Sequence, residues 1–285
     1  MFSALPDAEL RAPERERSLE RAAALVREGG VLVLSGAGVS TESGIPDYRD
    51  EHGAWKRPQP MQFREFVASE ASRRRYWARS FLGFAVLGGA QPSRAHRVLA
   101  EWEHRGLSSE LVTQNVDGLH QAAGAKRVID LHGRIDRVVC LACGRTSPRT
   151  VLQAELARLN PGWSERPAVI APDGDAEPGT TDYETFSVPA CGCGGVLKPD
   201  VVFFGENVPK ERVDRAMGAL EGARTLVVVG SSLMVFSGYR FVRAAERLGR
   251  PVVVVNRGHT RADANALLKL EGDAGELLSR VSGLI

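Results

Sequence analysis

Four thiols, one histidine and an asparagine–aspartate pair hold most of the reactive chemistry available to this sequence. Cys140 and Cys143 form a C-x-x-C pair, and Cys191-Gly192-Cys193 follows at long range. Two close pairs far apart in one chain signal zinc, and in a reducing compartment metal is expected before disulfide. Four thiolates close a tetrahedron and leave no position for water or substrate, so the expected role is structural. The second pair is one residue tighter than C-x-x-C, although Gly192 and Gly194 ease the turn. The alternative is that this pair holds zinc weakly or not at all. A nucleic-acid-binding zinc ribbon is disfavoured, because the intervening segment lacks a basic stripe.

His132, in RVIDLHG, can act as a base toward a hydroxyl or water, since imidazole titrates near neutral pH. A histidine that merely caps a strand is the competing reading. TQNVDGLH places Gln114, Asn115, Asp117 and His120 together; Asn115 and Asp117 could shape a turn, contact a ligand, or do both.

GAGVSTESGIPDYRD, residues 36–50, starts as a dinucleotide loop and then departs from it. Gly36 and Gly38 permit close backbone approach to a diphosphate, but Thr41 stands where G-x-G-x-x-G has its third glycine. The window about 20 residues on, KRPQPMQ from Lys56 to Gln62, has no carboxylate to grip a ribose, which argues against hydride transfer by an ordinary dehydrogenase. SGIPDYRD offers a rigid turn and then Asp47, Tyr48 and Arg49; such a segment can fold over a ligand, with Arg49 pairing a phosphate bidentately. The alternatives are a plain turn for the glycines and a surface ion pair for Arg49.

Elements must bring these residues together. Leu19 to Glu28 has helical periodicity, Gly29-Gly30 ends it, and VLVLSGAG reads as a buried strand entering a tight turn that opens a helix. SELVTQN, RVIDLHG, TLVVVGSS and PVVVVNRG are further strands, with helices between them. Continuous apolar strands alternating with helices predict an α/β fold, a doubly wound parallel Rossmann-like sheet. In such a sheet the crevice lies outside the strands' carboxyl ends, where four polar signatures converge. Residues 17–60, 89–139 and 196–285 form the expected large domain, 61–88 a helical insertion, and 140–195 a small zinc-binding module with a helix at TVLQAELARLN.

With 37 basic and 35 acidic side chains, no global charge draws the chain to nucleic acid or membrane. The N-terminus lacks a signal-peptide core and no apolar run approaches the ~20 residues of a membrane span, so a soluble cytoplasmic enzyme is expected.

GAGVSTESGIPDYR, TQNVDGLH, LHG, the cysteine pairs, LKPDVVFFGE, GSSLMV and NRG, in this order from Val31 to about Glu276, resemble the sirtuin family of NAD-dependent protein deacylases. YWARSF, APDGD and GSSLMVFSGYRF resemble its class II branch, which includes mitochondrial sirtuin 4. The resemblance implies an acyl-lysine protein substrate meeting NAD in a cleft between large and small domains. The acyl oxygen attacks as nicotinamide leaves, giving an alkylamidate; His132 then activates a ribose hydroxyl, yielding free lysine, nicotinamide and O-acyl-ADP-ribose. It assigns catalysis to His132, Asn115 and Asp117. It assigns NAD contacts to Gly36, Ala37, Gly38, Ser40, Thr41, Gly44, Ile45, Pro46, Asp47, Tyr48, Arg49, Gln114, Asn115, Val116 and Asp117. The same applies to Gly230, Ser231, Ser232, Asn256, Arg257, Gly258 and Ala274. Val202, Phe203, Phe204 and Gly205 form the edge to which a substrate strand adds.

Tyr76 and Arg79, three apart on the helical insertion, share a face and resemble the Tyr-x-x-Arg pair with which the class III branch recognises short acidic acyl groups. A solvated basic helix is the competing reading. Rival functions are mono-ADP-ribosyl transfer, which needs the same NAD pocket without His132 as base, and an NAD-sensing module without turnover. No nucleic-acid or membrane partner is expected, and a monomer is the expected state.

Overall fold

The computed structural model describes residues 12–56, 59–166, 168–170, 176–178 and 182–285; the N-terminal segment 1–11, residues 57 and 58 of the Lys56–Gln62 window, and APDGD at 171–175 lie outside them. Helix α1 (Ala12–Arg27) ends at Gly29 and Gly30, both at positive φ, and leads into β1 (Val31–Ser35). It starts well before Leu19, because the charged stretch ahead of the apolar repeat consists largely of good helix formers. After β1 the chain makes two single 3₁₀ turns, Ala37–Val39 and Thr41–Ser43, where the sequence predicted the start of a helix. The helical insertion is two helices, α2 (Phe63–Ala68) and α3 (Glu70–Leu87), broken at Ser69, which is extended. Then come α4 (Arg94–His104), β2 (Ser108–Thr113), α5 (Leu119–Ala122) and β3 (Val128–Asp130).

A second run holds β4 (Gly133–Cys140), β5 (Thr146–Pro148), α6 (Arg149–Leu159), the hairpin β6 (Ala168–Ile170) and β7 (Ala176–Pro178), and β8 (Leu197–Val201). The chain closes with α7 (Lys210–Gly222), β9 (Thr225–Val229), α8 (Phe236–Arg247), β10 (Val252–Asn256), β11 (Leu268–Glu271) and α9 (Ala274–Gly283).

Six parallel strands form one sheet in the order β11-β10-β9-β1-β2-β3. Its two faces follow from strand alternation: Val31 and Val33 pack with α1, α4 and α9, while Leu32 and Leu34 pack with α7 and α8. The chain leaves β1 toward β2 on one side and later returns to β9 on the other, so the direction of winding reverses between β1 and β9. That switch point opens a crevice at the strands' carboxyl ends.

The smaller antiparallel sheet, β5-β4-β8, starts at Gly133 and ends at Val201, drawing in residues on both sides of 140–195. A third core joins it to the helical insertion: Phe66, Tyr76, Trp77 and Phe81 of α2 and α3 pack with Ile135, Val138, Leu152 and Phe203. β3 runs almost directly into β4, so His132 stands at the joint between the two sheets. Among the described residues no helix is long and apolar enough to cross a membrane.

Candidate active site

The floor of the crevice is made where two strand-end loops touch. Gly36 N–H donates to Val229 O at 3.0 Å and Gly38 N–H to Gly230 O at 2.8 Å. A Cβ on Gly36 would lie 2.7 Å from Ser231 Cβ, and one on Gly38 would lie 2.8 Å from Gly230 Cα. Both glycines are therefore needed for close approach to the neighbouring loop, whatever else the loop binds. Gly36→Ala is expected to lower stability by about 1–3 kcal/mol through overpacking. Gly218→Ala, in α7 with nothing near its Cβ position, should raise it by about 0.5–1 kcal/mol. Denaturant titrations that found the two variants alike would contradict this reading.

Polar side chains from the loop just after β2 knit the floor together. Gln114 Nε2–H donates to Ser35 O at 3.1 Å and Ser231 Oγ at 2.8 Å. Asn115 Nδ2–H donates to Gly36 O at 3.1 Å and Ser40 Oγ at 3.0 Å; Ser40 in turn donates to Asp117 Oδ2 at 2.7 Å. Asp117 Oδ1 accepts from Leu119 N–H at 2.9 Å, the turn-forming bond foreseen for this residue, while its other oxygen holds Ser40. Turn formation and site assembly are thus both served.

His132 has its tautomer fixed by its partners. Nδ1 lies 2.8 Å from the backbone carbonyl of Gln114, which can only accept, so Nδ1 carries the hydrogen. Nε2 then holds a lone pair, and the hydroxyl of Ser237 sits 2.8 Å from it. Burial pushes the imidazole down to about 4, opposed by the Gln114 bond and assisted by the cationic Arg212 and Arg240, so the ring is neutral at pH 7.

A cavity of about 350 Å³ opens above these groups. Gly36, Ala37, Gly38, Asp47, Tyr48 and Arg49 line one side. Gln114, Asn115, Val116, His132, Gly230, Ser231, Ser232, Asn256 and Arg257 line the strand ends. Val202, Phe203, Phe204, Gly205 and Tyr76 close the wall toward the small sheet. Ser40 and Asp117 act from behind this lining. Ile45 is core, and Ala274 is the buried first residue of α9, whose N-terminus Asp273 caps. Thr41, Gly44, Pro46 and Gly258 also stay off the lining, as does the half-buried Arg79.

The loop after Gly44 is held by aromatics. Arg49 stacks over Trp55 with Cζ 4.0 Å from the ring centroid and donates to Gly53 O at 2.7 Å, while Asp47 pairs with Lys56 at 2.5 Å. Tyr48, Trp55 and Phe204 meet edge to face. The opposite edge is braced from below: Lys198 Nζ bonds Val201 O at 2.5 Å and pairs with Glu206 at 3.0 Å, and Glu206 accepts from Phe203 N–H at 2.8 Å.

The four cysteines converge at the end of β4 (Cys140), the turn after it (Cys143) and the turn before β8 (Cys191 and Cys193). Cys140 and Cys193 sulfurs are 3.6 Å apart, Cys143 and Cys191 3.8 Å, and all four lie within 4.8 Å of one another. Zinc–sulfur bonds of about 2.3 Å arranged tetrahedrally require edges of about 3.8 Å, so the set fits zinc. The tight C-x-C pair reaches the cluster because Gly194, at φ +82°, donates its N–H to Cys191 O, and Gly195 passes where any Cβ would strike Cys140 Sγ.

The Sir2 family profile matches residues 36–237. The chain belongs to the Sir2 family. The NAD-dependent protein deacetylase of Xanthomonas campestris pv. campestris strain B100 is 55% identical over 254 residues, 89% of this chain and 87% of the relative. NAD-dependent protein deacetylase 1 of Streptomyces coelicolor is 51% identical over 278 residues, 97% and 92% of the two chains. The solved complex of Sir2 with a p53 peptide and NAD+ superposes with a TM-score of 0.73 at 30% identity, covering 93% of this chain and 97% of that one.

Two further histidines of this Sir2 chain lie behind the site. His96 and His120 rings sit 4.6 Å apart, centroid to centroid; burial lowers His96 to about 4 and His120 well below its usual value. With His132, three imidazoles are held neutral. The unfolded chain binds more protons than the folded one from pH 6.5 down to about 4, so their contribution is intact above 6.5 and is lost as pH falls through that window. His96 and His132 should each remove on the order of 3 kcal/mol by pH 4. Urea midpoints measured with saturating zinc should drop steadily below pH 6.5; a flat profile to pH 5 would contradict this. Ser237 and Arg240, both lining the cavity, were missed from the sequence, since no spacing rule ties a serine after a strand-end loop to a distant histidine.

Proposed function

We propose that this Sir2 protein is an NAD-dependent protein lysine deacylase of the deacetylase type, in the class II branch, releasing free lysine, nicotinamide and O-acyl-ADP-ribose. The observation that carries this reading is His132, neutral and on the cavity lining, with its Nε2 lone pair turned to the Ser237 hydroxyl beside it. NAD, when bound, supplies an activated ribose from which nicotinamide departs. Gly36, Ala37 and Gly38 offer a side-chain-free surface beside the ends of β1 and β9, suited to a diphosphate. Ser231, Ser232, Asn256 and Arg257 extend that surface toward the adenosine end.

Asn115 orients Ser40 and the glycine loop, and Asp117 anchors Ser40 from below. His132 takes the proton of a ribose hydroxyl. Phe203 and Phe204 offer an edge to an extended peptide, held rigid by the Lys198–Glu206 pair beneath. Arg49, stacked on Trp55 and bonded to Gly53 O, lines the cavity with a cationic group that suits an anionic phosphate. Zinc, held by Cys140, Cys143, Cys191 and Cys193, fixes the small sheet and takes no part in the chemistry.

Tyr76 reaches the cavity and Arg79 does not, which favours a short uncharged acyl group over an acidic one recognised by YWAR. Matched acetyl- and succinyl-lysine peptides should show faster acetyl removal, with rates unchanged within about twofold in Arg79→Ala. Faster succinyl removal that vanishes in Arg79→Ala would reverse the assignment.

A further inference from the structure

The lone pair of His132 is already engaged. Its Nδ1–H is committed to Gln114 O, so the Ser237 hydroxyl, 2.8 Å from Nε2, must donate there. Ser237 is the second residue of α8, is buried, and like His132 lines the cavity. Its position is locked: Gly238 packs so closely on the Gln114 side chain that any Cβ would strike Gln114 Oε1, and Gln114 is bonded to Ser35 and Ser231. One residue, Gln114, therefore holds the histidine through its carbonyl and the start of α8 through its amide. Among the described residues, the charged groups that act on the ring are the cations Arg212 and Arg240, which disfavour an imidazolium there.

We propose that Ser237 is the proton relay between the substrate hydroxyl and His132, a role that rests on the deacylase reading above. The substrate O–H bond breaks as its proton passes to Ser237 Oγ, and the Ser237 O–H bond breaks as that proton passes to Nε2. One proton moves from substrate to imidazole, and the serine ends as it began. A hydroxyl suits the place because it donates to a neutral imidazole and accepts from the imidazolium. Direct transfer would instead require the substrate to displace Ser237 from a locked helix start.

The test compares wild type, Ser237→Ala and Ser237→Thr on an acetyl-lysine peptide with NAD. Relay predicts that Ser237→Ala lowers kcat by about 10²-fold with KM changed less than about threefold, and that Ser237→Thr recovers most of it. A proton inventory in mixed H₂O and D₂O should be curved for wild type, with two protons in flight, and linear for Ser237→Ala. Nicotinamide–NAD exchange, which precedes this step, should persist in Ser237→Ala and reports that the site has folded. Ser237→Ala at wild-type rate or faster, with a linear inventory in both, would show that the serine is only a displaceable cap and overturn the relay. Wild type that makes no deacylated peptide at all would instead sink the deacylase reading.

Discussion

Replacing Cys191 with Ala should eliminate bound zinc and with it deacylation, while leaving the six-stranded sheet folded. Structural zinc contributes on the order of 10 kcal/mol to small domains, and the cysteines close the far end of β4 and the turn before β8. The near end of β4 begins beside His132, whose backbone O accepts from Val202 N–H at 2.8 Å, so loosening this sheet reaches the base and the peptide edge together. Hydrogen exchange should show β4, β5, β8 and α6 losing protection, with β1, β9 and β10 protected as before. Zinc retained at full stoichiometry by Cys191→Ala, or activity within twofold, would show that the tight second pair is dispensable. A chelator at neutral pH should reproduce the loss, and added zinc should restore it.

His132→Ala should lower the rate of the acyl-transfer step by about 10³-fold, the middle of the range for losing a positioned general base. Binding of peptide and NAD should change little, because the cradle of Gly36–Gly38, Gln114 and Ser231 is tied together by bonds that do not involve the imidazole. Stability should change less than for an ordinary buried polar residue: the imidazole is desolvated, and its removal relieves part of that cost while leaving Gln114 O and Ser237 Oγ without it. Single-turnover kinetics separates the step from binding. A loss below tenfold would mean that another group accepts the proton.

Some of this site is readable from spacing because spacing alone fixes the geometry. The cysteines are the clearest case, four thiols in two short chelate loops that can hardly meet otherwise than around one ion. Strand ends were readable too, since unbroken Val and Leu runs announce a parallel sheet and the polar residues after them must face its crevice. The glycine loop was half legible: Gly36 and Gly38 mark a close approach, but the groups approached are Gly230 and Ser231, on the loop after β9 nearly two hundred residues on. Thr41 stands in place of the third glycine where it opens a 3₁₀ turn with its side chain exposed, bonded to Gly38 O at 3.1 Å.

Tertiary context decided the rest. Tyr76 and Arg79 differ by about 60° around α3 and by most of a turn along it, enough to set one on the cavity and the other off its lining. β11 is only four residues, LKLE, embedded in a stretch that also suits a helix, and it is recruited as an edge strand by β10. Ser237 has no motif; only the folded proximity of α8 to β3's end reveals it.

The most direct measurement is mass spectrometry of a reaction holding NAD and an acetyl-lysine peptide, wild type beside His132→Ala. Wild type should give deacetylated peptide, nicotinamide and O-acetyl-ADP-ribose in equal amounts, and His132→Ala should give almost none of the peptide or the ester. Nicotinamide release without deacetylated peptide, accompanied by ADP-ribose on protein in both samples, would contradict deacylation and assign the site to ADP-ribosyl transfer.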